Sequence, residues 1–277
     1  MFFVRKSFLG VVSLCEFCTK HGEGKKWYEV MDNYSKELLA DPARQRYIKD
    51  FVPNFRSHAY TNLKKLEWGR NKLPLAYRFI RKIVTINAKS NHYGQVVPLE
   101  DALGIVEMTQ SITRIPCVCR SVTAGKKNAR YCLLLSVDPS DTIKYWPELE
   151  SSMETLTVEV AKQLLKEFDR NGLVHSIWTF KTPFIGAICN CDHDCMAYKI
   201  QISSDLVNVM FKAEYIADID PLSCMGCRNC QRLCQFGAIE YSVVNQKCYI
   251  NPHKCYGCGV CRNACKKEAI CLLDKIV

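Results

Sequence analysis

The sequence predicts an α+β protein in three parts: a helical N-terminal region over residues 1–90, a mixed α/β middle region with cysteine-rich loops over 91–210, and a duplicated cysteine-bearing unit over 211–277. Three observations carry that expectation. Apolar residues recur at helical spacing in several upstream segments, short apolar runs of strand type lie among them, and 18 cysteines fall in clusters.

In the first part, "NYSKELLADPARQRYIKDF" reads as two short helices separated at Pro42, and "LPLAYRFIRKIVTI" (73–86) as a strongly apolar helix carrying three basic residues. In the second, "PLEDALGIVEMTQSI" sets Pro98 at a first helical position and Glu100 and Asp101 beside the positive end of the helix dipole. Leu99, Ala102, Leu103 and Val106 share one face of it. "TVEVAKQLLKEFDRNG" aligns Ala161, Leu164, Leu165 and Phe168 and stops at Gly172 as its cap. "YCLLLSV" (131–137) and "LVHSIWTF" read as strands.

The third part repeats. Cys224, Cys227, Cys230 and Cys234 follow C-x₂-C-x₂-C-x₃-C and return as Cys255, Cys258, Cys261 and Cys265, each shifted by the same offset. Asp220-Pro221 matches Asn251-Pro252, and "GAIEY" matches "EAICL". Each copy is expected to run strand, cysteine loop, brief helix, returning strand, with "EYIADID" and "KCYIN" leading in and "AIEYSV" and "AICLLD" leading out.

Disulfide frameworks belong mostly to short secreted chains, whereas these thiols sit in C-x-x-C and C-x-C groups of a 277-residue chain, which favours metal-bound thiolates in reducing cytoplasm. No apolar run approaches the roughly 18 residues of a membrane span. In "MFFVRKSFLGVVSLC" the apolar stretch is short and Leu14 stands where a cleavage site needs a small residue, so a buried strand or short helix is expected instead of a signal peptide.

The repeated motif resembles the bacterial-type two-cluster ferredoxins, over about a quarter of the chain. The resemblance implies a ferredoxin-like domain with a pseudo-two-fold repeat and two [4Fe-4S] clusters, the fourth cysteine of each copy reaching the other cluster. Cys224, Cys227, Cys230 and Cys265 would hold one, and Cys234, Cys255, Cys258 and Cys261 the other. The family's proline after the fourth cysteine is Gln235 here and Lys266 in the second copy; a polar side chain there is expected to alter potential or cluster access. Each such cluster with its thiolates subtracts about two charges from the formal net charge of +10, which weakens the case for nucleic acid.

Upstream, Cys117 and Cys119 in "IPCVCR" and Cys189, Cys191 and Cys195 in "ICNCDHDC" suggest a third metal site, with zinc and an Fe–S cluster both open. Cys132, Cys248 and Cys271 read as small buried apolar side chains. Cys15, Cys18 and His21 form half a zinc site or a dithiol redox pair. His175 reads as a satisfied structural histidine. "CxxCxxHG", "PCxCR", "GLVH" and "CNC" ahead of such a unit look similar to poorly characterised multi-cysteine iron–sulfur proteins of anaerobic microbes, which implies little about chemistry.

No nucleotide-binding glycine motif and no self-contained catalytic constellation is present. The expected function is electron transfer to or from a redox protein partner. Two alternatives stand beside it: a redox enzyme or subunit centred on Cys117, Cys119, Cys189 and Cys191, and an iron–sulfur regulator in which the helix before "GLVHSIWTF" and that segment act as helix and wing.

Overall fold

The computed structural model describes residues 26–275, so Cys15, Cys18 and His21 lie outside the described residues. Ser35 caps α1 (Lys36–Leu39), its hydroxyl accepting the Leu38 N–H. Asp41 caps α2 (Pro42–Lys72) in the same way. The break at Pro42 agrees with the sequence reading, but α2 is a long helix that continues through Pro53. Pro53 has no N–H to give the carbonyl of Lys49, and the indole Nε1 of buried Trp146 donates to that carbonyl instead, at 3.1 Å. Helix α3 (Pro74–Asn91) follows, with Leu75, Phe79 and Ile83 exposed along one side.

The next segment alternates strands and helices: β1 (Gly94–Val96), α4 (Leu99–Met108), β2 (Ile112–Ile115), α5 (Val118–Ala124), β3 (Cys132–Leu135), α6 (Pro139–Tyr145), β4 (Glu154–Leu156), α7 (Val158–Arg170), β5 (Val174–Thr179), β6 (Ile185–Cys191) and β7 (Met210–Phe211). They form a seven-stranded sheet in the order β4-β2-β3-β6-β5-β1-β7. All neighbours are antiparallel except β1 and β7. Alternation along the strands divides the core. Leu133, Leu135, Ile177 and Ile188 pack with residues of α4 and α7, whereas Cys132, Leu134, Trp178, Ala187 and Cys191 pack with residues of α2 and α5.

Helix α7 forms as expected. The Thr157 hydroxyl accepts the Val160 N–H, Ala161, Leu165 and Phe168 are buried, and Gly172 turns the chain at φ +83°. The strand that follows does not make a wing. All six residues of β5 are buried and it lies between β6 and β1, leaving no face for a nucleic acid.

Two small sheets complete the chain: β8 (Tyr215–Ile219) pairs with β11 (Ile270–Asp274), and β9 (Ile239–Ser242) with β10 (Lys247–Ile250). Helix α8 (Asn229–Leu233) lies between β8 and β9, and a 3₁₀ turn (Val260–Ala264) takes its place between β10 and β11. The repeat extends to backbone detail. Gly226 and Gly257 both have φ +69°, and a Cβ at either would stand 2.1 Å from a carbonyl oxygen, of Gln246 or Tyr215. Asp220 and Asn251 each accept the N–H two residues on.

This unit is tied to the sheet's helices. Arg262 makes a bidentate pair with Glu100 at 2.6 and 2.9 Å, the Tyr215 hydroxyl donates to buried Asp101 at 3.0 Å, and Asn263 donates to Asp169 at 2.7 Å.

Replacing Trp146 by Phe strands the Lys49 carbonyl and should lower the free energy of unfolding by about 1–3 kcal/mol in a urea titration. The same change at exposed Trp68 should cost a few tenths at most.

Candidate metal centre

The two loops of the C-terminal repeat enclose two cavities. Cys224, Cys227, Cys230 and Cys265 line one, of about 130 Å³, and Cys234, Cys255, Cys258 and Cys261 line the other. The crossing has a local cause. Cys230 lies within α8 and Cys234 at its C-terminal cap, so one short helix places the third and fourth thiols of a motif at different cavities.

Backbone amides meet the sulfurs in matched pairs. The N–H groups of Gly226 and Gly257 donate to Cys224 and Cys255 at 3.5 and 3.4 Å, and those of Ala238 and Ala269 to Cys234 and Cys265, both at 3.3 Å. Burial pushes the Cys230 and Cys261 thiols up to about 12 and raises Cys258 further. Four thiols bounding a cavity, with N–H donors aimed at their sulfurs, fit a polynuclear metal–sulfur core that would hold them as thiolates.

Cys248 is buried among apolar side chains as expected, and it also lies on the wall of the first cavity. The repeat offset puts Ala217 at the matching place on the second. That difference hid it, because a position that differs between the copies gives no repeat signal. Cys271 is exposed, not buried.

Gln235 lines the second cavity and also reaches out of the repeat. Its amide donates to the carbonyl of Gly172, beyond the end of α7, where a Cβ on Gly172 would stand 2.8 Å from Leu233 Cδ1. The side chain that replaces the family's proline therefore joins the repeat to the sheet's helix layer. Lys266 is exposed at the edge of the first cavity.

Upstream, the five predicted thiols are drawn together, and a sixth joins them. The cross-strand pair Cys132↔Cys189 sets their sulfurs 3.7 Å apart, and Cys132 lies 3.3 Å from Cys117. Hydrogen bonds carry the string on from Cys189 to Cys191, Cys195 and Cys119. The apolar run "YCLLLSV" concealed Cys132. The signal available was strand alternation, which puts Cys189 and Cys191 on one face with Cys132 opposite. Among the described residues no three Cys, His, Asp or Glu side chains converge on a position for a single metal ion.

Charge is arranged along the string. The hydrogen bond from Cys132, helped by the Tyr131 N–H at 3.0 Å and Arg120, draws Cys117 down, and hydrogen bonds from Cys132 and Cys191 draw Cys189 down. Cys132 and Cys191 rise through the same hydrogen bonds and burial, and Cys119 through its bond to Cys195 and burial. Buried Arg120 pairs with Asp192 at 2.9 Å and lies 3.6 Å from the Cys117 sulfur.

His175 is not fully satisfied: it is buried, with Nδ1 2.6 Å from the Asn190 side chain, but Nε2 makes no hydrogen bond and lies 3.6 Å from Asp169.

Compared with known proteins, residues 223–269 match the family model described as a 4Fe-4S dicluster domain. No curated protein matches the chain.

Replacing Gly257 by Ala should remove roughly half of the iron bound by residues 211–277, counted after anaerobic purification. Replacing Gln235 by Ala should keep the iron content while lowering unfolding free energy by about 1 kcal/mol.

Proposed function

We propose that this chain is an iron–sulfur electron-transfer protein whose C-terminal repeat holds two [4Fe-4S] clusters, one on Cys224, Cys227, Cys230 and Cys265 and one on Cys234, Cys255, Cys258 and Cys261. The observation that carries this reading is the pair of cavities, each bounded by three thiols of one copy and the fourth of the other. The match to a 4Fe-4S dicluster domain supports it independently. Clusters of this kind accept and give up one electron at a time.

The chain's own residues fix where that exchange happens. Backbone N–H groups at Gly226, Gly257, Ala238 and Ala269 stabilise anionic sulfur, and Gln235, Asn263 and Arg262 hold the repeat against α4 and α7. The upstream thiols Cys117, Cys119, Cys189, Cys191 and Cys195 are the place where electrons pass onward, to a further centre or a redox protein partner in the cytoplasm. No helix among the described residues is long and apolar enough to cross a membrane.

Anaerobically purified protein should contain at least about eight irons per chain and a broad absorbance near about 400 nm that dithionite bleaches. Colourless protein carrying zinc would contradict the reading.

A further inference from the structure

Five of the six upstream thiols, Cys119, Cys132, Cys189, Cys191 and Cys195, line a second feature, a partly open cavity of about 160 Å³. A single zinc ion needs three or four thiols converging on one point and no cavity. Here the thiols are spread along a wall with space in front of them, and no three converge. The two C-terminal sets are likewise spread around a space, of about 130 Å³ for the Cys224 set and about 20 Å³ for the Cys234 set.

Two further observations point to charge and to an acceptor at this wall. Arg120 is about 1% exposed, and its electrostatic partners are Cys195, Cys117 and Asp192, so a fixed positive charge faces the thiols from inside the protein. Tyr198 is fully buried and its hydroxyl has no hydrogen-bond partner. Burying an unpaired hydroxyl is costly. Tyr198 begins a π-helical turn (Tyr198–Ser203) and stacks on Phe236 at 5.4 Å, which stacks on Tyr256 at 4.0 Å. Phe236 and Tyr256 line the cavity of the Cys234 set.

We propose that the upstream cavity seats a third iron–sulfur cluster, ligated by thiols of its wall including Cys132, and that Tyr198 joins it to the Cys234, Cys255, Cys258 and Cys261 site by donating a hydrogen bond to cluster sulfur. The inference rests on the electron-transfer reading. The step it adds is a one-electron exchange: the C-terminal cluster is oxidised by one electron as the upstream one is reduced by one, with no bond made or broken and no proton required.

The test uses the full chain, purified anaerobically, with iron and acid-labile sulfide counted beside EPR of the dithionite-reduced protein. The wild type should hold about twelve irons, and the Cys132→Ser/Cys189→Ser double variant about eight with the C-terminal signals kept. Mössbauer spectra of the wild type give the same count without a variant, should the double variant fail to fold. Tyr198→Phe should keep all the iron, lower the potential of one cluster and alter the magnetic interaction between neighbours, because a hydrogen bond to cluster sulfur raises potential. Three outcomes overturn the proposal: about eight irons in the wild type, zinc at the upstream thiols, or six freely titrating thiols beside a cavity that takes xenon. Fewer than eight irons with no dithionite-sensitive absorbance would instead overturn the electron-transfer reading beneath it.

Discussion

A thiolate removed from water must be met by a hydrogen-bond donor, a cation or a metal, and this protein is organised around that requirement. Most of its cysteines are buried or half-buried. In the C-terminal repeat the answer is backbone: the same two N–H donors recur in both copies, in loops that close only because Gly226 and Gly257 adopt positive φ. Upstream the answer is a side chain, buried Arg120, supported by the Tyr131 N–H. The two halves thus meet one electrostatic demand with different means, one repeated and one made once.

The repeat is also fixed against the sheet, and the proposed electron exchange would need such short and fixed separations across this seam. Gln235 on the carbonyl of Gly172, Asn263 on Asp169 and Arg262 on Glu100 each bind a ligand-bearing loop to the end of α7 or the start of α4. Close contact between Leu233 and Gly172 leaves no room for a side chain at the turn. Tyr198, Phe236 and Tyr256 are stacked within the same seam.

Much of this was legible in the sequence because it is local or repeated. The spacing of eight cysteines anticipated which thiols share a cavity, and Thr157 and Gly172 marked the ends of α7. What escaped was set by partners distant in the chain. The segment read as helical stopped at Phe51, short of Pro53, yet the helix runs on through that proline, where Trp146, far along the chain, supplies the missing donor. Cys132 lay inside an apolar strand, and only the register with β6 brings it to Cys189. Gln235 suggested a change in potential, and it also makes a contact between the repeat and α7 that no motif encodes. "GLVHSIWTF" forms the strand expected, but its place inside the sheet depends on β1 and β6 and removes the wing.

The most direct measurement is iron anomalous diffraction from anaerobically grown crystals. The account predicts anomalous density bonded to Cys224, Cys227, Cys230 and Cys265 and, separately, to Cys234, Cys255, Cys258 and Cys261. Density bonded to the four cysteines of a single motif, or none in these cavities, would contradict it.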